Sequence, residues 1–168
     1  MVVVLIVVAL VVAGAVGSMM LSDDERDLTR ASGEVEALAK RARTLAALQQ
    51  RPYALEFFEN RVSLMPLAEA LVLPEEREKA VQMMAAEGVT ANSIRASWSS
   101  EGEMAMFVRR WASDTWVPVD SKNRQVWRFE PQGFCEPVGV RLAMEKSWIE
   151  VEFNPLTANV RDTAMEAY

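Results

Sequence analysis

The hydrophobic and polar positions divide the chain into three parts with different periodicity. Residues 1–21 carry no charged side chain. At about 1.5 Å per residue, such a stretch forms a helix of roughly 31 Å, long enough to cross a hydrocarbon core. Residues 22–50 have apolar side chains at helical spacing, and from residue 51 onward the apolar positions alternate. This pattern predicts one long helix, transmembrane over 1–21 and amphipathic over 22–50, followed by a β-rich domain over 51–168.

The first segment is interpreted as a retained single-pass membrane anchor. No Lys or Arg precedes the apolar run, and the run is longer than the apolar core of a cleaved signal peptide. A buried core helix is the alternative. We expect the N-terminus to lie in the cytoplasmic leaflet and the remaining chain outside. Four small residues are expected to permit close helix packing in the membrane or in an assembly core: Ala9, Ala13, Gly14 and Gly17. The two glycines could instead serve to loosen the helix.

One narrow apolar seam runs along the amphipathic segment. Its members recur three or four positions apart, as on one face of a helix: Leu28, Ala31, Val35, Leu38, Ala42 and Leu45. Ser22 or Asp23 can cap the start of this helix. A seam lined partly by alanine suits packing against a sheet or a neighbouring helix, and a free-standing coiled coil is the alternative.

The remaining chain is predicted to form an antiparallel sheet. A hairpin is predicted at 53–66, and further strands are predicted at 104–111, 116–119, 125–130, 138–144 and 148–153. Pro74 and Gly88 would begin and end a short helix near 74–87, for which a surface loop is the alternative. Residues 97–103 are polar and are interpreted as a turn. The helix seam is expected to cover the buried face of the sheet, which makes the fold α+β.

Composition narrows the possible functions. The chain has 168 residues and a net charge of −6, and all of its charged residues follow Leu21. An acidic domain argues against binding nucleic acid or anionic lipid through bulk electrostatics. The chain has no histidine, the commonest general base and metal ligand, and its one cysteine, Cys135, cannot form an intrachain disulfide.

Three groups of side chains contain residue types that can act in catalysis or bind a cation. Glu150 and Glu152 share one strand face, as acid–base or Ca²⁺ carboxylates can, but a solvated strand face is the simpler interpretation. Residues 120–123 could donate oxygens to a cation, yet they match a hairpin turn. Cys135 has no histidine partner and is interpreted as a neutral, half-buried thiol.

Arg109 and Arg110 beside Trp111 could stack a nucleotide base, although charged strand edges are favoured. The sequence contains no glycine-rich phosphate loop, metal-ligand cluster or nucleophile elbow. We therefore expect no cofactor, no metal site and no enzymatic activity.

Three stretches resemble the type IV pilin-like proteins, in particular the minor pseudopilins of the GspH/FimT kind. MVVVLIVVALVVAGAVG resembles the segment after the prepilin cleavage motif, and LTRASGEVEALAKRARTLAALQQRPYALEF resembles the second half of the pilin helix with the first strand. VWRFEPQGFCEPVGVRLAMEKSWIEVEFNPLTANV resembles the closing strands. These stretches cover roughly half of the chain, and their order and spacing are more specific than any one of them.

The resemblance implies a pilin-like fold and a structural role. The subunit would be held in the inner membrane, with its globular domain in the periplasm, and would enter a type II secretion pseudopilus or type IV pilus, where it helps to initiate or cap the filament. Its partners would be other pilin-like subunits, the inner-membrane assembly platform and, before assembly, lipid. The resemblance also implies methylation of the subunit.

Two departures from the family pattern bear on this interpretation. The sequence begins at Met1 without the family's basic leader and cleavage motif Gly-Phe-Thr-Leu-Ile-Glu. Three explanations stay open: a start codon placed too late, a truncated chain, or a copy that is not processed. The glycine that closes the family's last turn is replaced by Ala158, and Asn159 is expected to take the left-handed conformation instead.

Two alternative functions remain. One is a DNA-binding minor pilin, with Arg109, Arg110, Arg124 and Arg128 as the contacts, although the acidic balance makes nucleic acid a disfavoured partner. The weaker one is a membrane-tethered periplasmic protein of another kind, such as an enzyme.

Overall fold

The computed structural model describes residues 23–88, 92–100, 102 and 104–167. The predicted membrane segment at 1–21, with Ala9, Ala13, Gly14 and Gly17, lies outside these residues. Within the described ranges, no helix combines the length and the apolar character needed to cross a membrane. The first described element is α1 (Asp23–Gln49), a helix of 27 residues. Three acidic residues lie in its first turn, where the positive end of the helix dipole stabilises their negative charges.

In the part of the chain that the structure describes, nine strands and two further helices follow α1. In chain order, the strands are β1 (Tyr53–Phe58), β2 (Arg61–Pro66), β3 (Ala96–Ser99), β4 (Ala105–Arg110), β5 (Val117–Pro118), β6 (Gln125–Phe129), β7 (Val138–Met144), β8 (Ser147–Phe153) and β9 (Val160–Glu166). The helices α2 (Leu67–Ala70) and α3 (Arg77–Ala86) lie between β2 and β3. The coarse prediction of an α+β fold with a long N-terminal helix and antiparallel strands is therefore confirmed.

The strands form two sheets. The first sheet has the order β3–β2–β1–β6, and the second has the order β5–β4–β7–β8–β9. Every pairing is antiparallel. The prediction of a single sheet is wrong, because the chain places β6 beside β1 and then begins a separate ladder in which β7 pairs with β4.

The core lies between α1 and the inner faces of both sheets. Helix α1 contacts β1, β2, β3 and β6 of the first sheet and β7 and β8 of the second. The two sheets also meet through aromatic rings, since the ring centroid of Trp127 on β6 lies 4.9 Å from that of Phe153 on β8. Within β6, the Trp127 centroid lies 4.6 Å from that of Phe129. Trp127 is fully buried, and its indole Nε1–H donates a hydrogen bond to the carbonyl of Glu136 at 2.8 Å. A buried indole is thus both packed and hydrogen-bonded.

Several predicted elements differ from the observed ones. The helix predicted near 74–87 is α3, which begins at Arg77 and buries none of its residues. The turn predicted at 97–103 is wrong, because β3 occupies Ala96–Ser99 and pairs with β2. The sequence interpretation also missed β9, a strand with almost entirely exposed side chains.

The last turn keeps its geometry without a glycine. Ala158 itself adopts a φ of 56°, so the expectation that Asn159 takes the left-handed conformation is wrong. Ala158 is fully buried, and its N–H donates to the carbonyl of Asn154 at 2.9 Å. The surrounding turn therefore holds an alanine in a conformation that non-glycine residues rarely adopt.

Candidate functional site

Helix α1 presents one face to the two sheets and the opposite face to solvent. All six seam side chains are buried, together with Ser32, Ala39 and Ala46. The face in contact with the sheets is therefore wider than the predicted seam. Alanine at four of these buried positions lets the helix lie close to the strands: Ala31, Ala39, Ala42 and Ala46.

The exposed face of α1 carries small side chains in its middle. Thr29, Gly33 and Ala37 recur every fourth residue and are exposed. A Cβ added to Gly33 would meet nothing within 4 Å. No packing contact within the described fold therefore requires a glycine at this position, which lies in the interior of a helix.

Glu36 ties the helix to the C-terminal strand. Its Oε1 accepts a hydrogen bond from the Val160 N–H at 2.9 Å and pairs with Lys40 Nζ at 3.0 Å. Burial raises the pKa of Glu36, but the hydrogen bond from Val160 and the contacts with Lys40 together outweigh burial and hold that pKa below its ordinary value of 4.5. The ionised carboxylate is thus the form that joins α1 to the start of β9.

Two further contacts hold the C-terminal half of α1. Arg43 Nε donates to the carbonyl of Gly133 at 2.6 Å, in the turn after β6. The Tyr53 hydroxyl donates to Gln49 Oε1 at 2.8 Å, at the point where the helix passes into β1. The helix is therefore attached to the β-domain by polar contacts along its length as well as by its apolar face.

The outer face of the second sheet carries cross-strand ion pairs. Glu152 contacts the guanidinium groups of both Arg109 and Arg161. Glu150 pairs with Arg141 at 3.4 Å. The two glutamates considered for acid–base or Ca²⁺ chemistry therefore lie in a ladder of charges across four strands, β4, β7, β8 and β9.

Two tryptophans stack on this ladder. The guanidinium of Arg109 lies 4.6 Å from the Trp116 ring centroid, and that of Arg141 lies 4.8 Å from the ring of Trp148. Gly139 leaves room for the first stack, because an added Cβ would lie 3.1 Å from Trp116 Cη2. The stacking fixes both guanidinium planes over the sheet.

The four arginines proposed for DNA binding each contact a carboxylate. Their partners are Glu152 for Arg109, Glu136 for Arg110, Glu56 for Arg124 and Glu130 for Arg128. The first two arginines lie on the second sheet, whereas Arg124 precedes β6 and Arg128 lies on it, in the first sheet. The DNA-binding alternative therefore gains no support from these side chains, because each is paired with a carboxylate and they are divided between two surfaces.

Trp111 borders an open cavity of about 310 Å³, which Arg109, Arg110 and Arg161 also line. The Trp111 side chain is 73% exposed. Of the two arginines beside Trp111 in the sequence, Arg109 stacks on an indole, but that indole belongs to Trp116. The arrangement predicted for base stacking therefore has an available ring but guanidinium groups that are already paired.

The outer face of the first sheet holds two buried glutamates that the sequence did not single out. Glu56 pairs with Arg77, whose Nη1 lies 2.7 Å from Oε2, and with Arg124, whose Nη1 lies 3.0 Å from Oε1. The Glu56 side chain is only 4% exposed. A carboxylate this deeply buried requires close polar partners, and the two guanidinium groups provide them.

Glu69, on α2, is the second buried carboxylate. It receives two hydrogen bonds from Arg95, at 2.8 Å from Nε and 2.6 Å from Nη2. These hydrogen bonds raise the pKa of Arg95 above its ordinary value.

The alternation of β1 gave a partial signal for this surface, since Glu56 stands among Ala54, Leu55 and Phe57 in an otherwise apolar strand.

The remaining candidates have structural roles. Asp120 Oδ1 accepts the N–H groups of Lys122 and Asn123, and these hydrogen bonds lower the pKa of its carboxyl. Burial raises the pKa of the Cys135 thiol to about 11, and Sγ lies 3.5 Å from the carbonyl of Pro155. In the part of the chain that the structure describes, no group of three potential metal-binding His, Cys, Asp or Glu residues comes together.

Comparisons of the chain with protein-family models, with curated proteins and with solved structures find no match.

Proposed function

We propose that the chain is a structural subunit of a filament, a minor pseudopilin or pilin-like protein of a type II secretion pseudopilus or a type IV pilus that helps to initiate or cap it. In this proposal the fold is the pilin-like one, in which a long N-terminal helix packs by its second half on antiparallel strands. The apolar segment at 1–21 is held in the inner membrane and exchanges lipid for helix contacts on assembly. Other pilin-like subunits and the inner-membrane assembly platform are the partners.

The exposed Gly33 is the observation that carries this proposal. A glycine in a helix interior costs about 1 kcal/mol relative to alanine. Because a Cβ at Gly33 would meet nothing within 4 Å, the fold gains no room from this cost. Close approach of a second helix to this face accounts for the glycine, and the exposed Thr29 and Ala37 extend the same small surface.

Substitution of Gly33 separates assembly from folding. Gly33→Ala should raise the free energy of unfolding by about 0.5–1 kcal/mol, measured by urea denaturation. Gly33→Leu should leave the fold intact but lower, by at least about tenfold, the amount of the chain recovered with sheared filaments from its host. Ala85→Leu on the exposed α3 is the matched control and should be recovered normally. Normal recovery of Gly33→Leu would contradict the proposed packing.

The membrane part of the proposal has its own test. Gly17→Arg or Val8→Arg places a charge within the apolar segment, where it costs about 2.5–3.5 kcal/mol. Both variants should be lost from the membrane fraction and from filaments. Normal assembly of either variant would refute the proposed role of residues 1–21.

A further inference from the structure

We propose that the outer face of the first sheet binds a small tetrahedral oxyanion, inorganic phosphate or a phosphate monoester, in a groove lined by Arg61, Arg77, Arg95, Ser63 and Ser97. The filament proposal neither includes nor requires this site. The groove belongs to an open cavity of about 320 Å³. Such a volume accommodates a phosphate group together with the small organic part of an ester.

The strand register places the hydroxyl groups and one guanidinium on the same side of the sheet. Ser63 on β2 is the direct partner of Ser97 on β3, and Arg61 is the partner of Ser99. Because side chains two positions apart share a sheet face, Arg61 and Ser63 point the same way. The buried Val62 and Leu64 point into the core, so Arg61 and Ser63 lie on the outer face.

The charges around the groove do not balance. Arg77 and Arg124 share one buried carboxylate, Glu56, and Arg95 has the other, Glu69. Arg61 is exposed and forms no ion pair with any residue that the structure describes. Among the described residues that line the cavity, three are arginines and none is acidic, although the whole chain has a net charge of −6. An anion from solution would balance this excess.

The buried carboxylates also order two of the binding groups in advance. Glu56 and Glu69 each hold an arginine through two hydrogen bonds, to Arg77 and to Arg95. The Arg95 side chain is nevertheless 46% exposed, which leaves part of its guanidinium open to a ligand. Groups that are already fixed lose little conformational entropy on binding.

The donors in this groove suit an oxyanion. Arginine and serine both donate to phosphate oxygens, and arginine does so with two parallel N–H groups. Arg61 and Ser97 are exposed and Ser63 is half-buried, so their donors can be reached from solvent at the groove. A ligand with several acceptor oxygens matches these donors.

The test titrates the full chain with inorganic phosphate, glycerol 3-phosphate and acetate at constant ionic strength, with binding followed by calorimetry. Saturable binding of either phosphate compound is expected, and the preferred one shows whether the site takes the free anion or an ester. Arg61→Ala should weaken binding by at least about tenfold. Ser63→Ala should weaken it by about fivefold, as loss of one hydrogen bond predicts.

Arg41→Ala is the matched control. It removes the same charge from an exposed position on α1 and should bind phosphate as the unaltered chain does. Because Arg61 is exposed and forms no ion pair within the described part of the chain, an unchanged urea midpoint should show that its variant is folded. Equal weakening in both variants, absence of saturable phosphate binding, or equally tight binding of acetate would overturn the proposal. Each result leaves the filament proposal intact, because that proposal depends on α1.

Discussion

The two sheets differ in how deeply they bury the same kind of ion pair. Both carry Glu–Arg pairs on the face away from α1. On the first sheet, the α2 region covers that face and the Glu56 side chain is 4% exposed, whereas Glu152 on the second sheet is 33% exposed. The first sheet is therefore buried on both faces over β1, and the second has one solvated face. Removing one partner of the buried Glu56 pair should therefore cost more stability than removing one partner of the Glu152 pair.

The largest expected effect comes from removing the negative charge of the buried carboxylate on the first sheet. Glu56→Gln leaves Arg77 and Arg124 without a negative partner and should lower the free energy of unfolding by about 3–5 kcal/mol, measured by urea denaturation. The matched Glu152→Gln should cost less than about 1 kcal/mol, because that pair is screened by water. Similar losses in the two variants would show that burial does not separate the sheets.

A medium effect is expected where the second sheet carries its aromatic stack. Gly139→Val places a branched side chain against Trp116 and Arg109 and should cost about 1–2 kcal/mol, with a change in tryptophan fluorescence. Ala105→Val, at an exposed position on the neighbouring strand, should change the free energy of unfolding by less than about 0.5 kcal/mol. If Gly139→Val leaves stability and fluorescence unchanged, the stack does not order this face.

The smallest effect concerns the link between α1 and the second sheet. The pKa of Glu36 is lowered in the folded chain, so its contribution is present above pH 4.5 and is lost as the pH falls through the folded value. Glu36→Gln should lower the free energy of unfolding at pH 7 by less than about 1 kcal/mol and should reduce its fall between pH 5 and 3.

Glu34→Gln is the control for this pH dependence. It removes a charge from an exposed position of the same helix and should keep the pH dependence of the unaltered chain. Identical pH profiles for the Glu36→Gln variant and the unaltered chain would contradict the role given to Glu36. Hydrogen exchange at the Val160 N–H provides a second, local measurement.

Local patterns explain which parts of the fold could be predicted. The strand predicted at 138–144 is β7, and the one predicted at 148–153 is β8 with one residue added at its start. Both have apolar residues on a buried face, which produces a pattern of period two. β9 lacks that pattern because almost all of its side chains are exposed, so its pairing with β8 defines it. β3 has the pattern, with Ala96 and Trp98 alternating with serines, but over only four residues, and its pairing with β2 defines it.

The candidate site was predictable only where it depends on one element. The seam of α1 follows from helical spacing, and its residues are buried. The charged groove on the first sheet was not predictable, since Arg61, Arg77 and Arg95 come from three separate segments. Their meeting depends on how α2 packs on β1 and β2 and how α3 packs on α2, and these contacts are set by tertiary packing.

By itself, the sequence determined the long helix, its apolar face and the alternating strands, because each follows from periodicity within a few turns or one strand. Only the tertiary structure decided that the strands separate into two sheets and that Glu56 is buried while Glu152 is not. It likewise decided that α1 keeps a free face with Gly33 at its centre. These features depend on pairings between residues far apart in the chain, and the free energy of such pairings is not encoded in any local pattern.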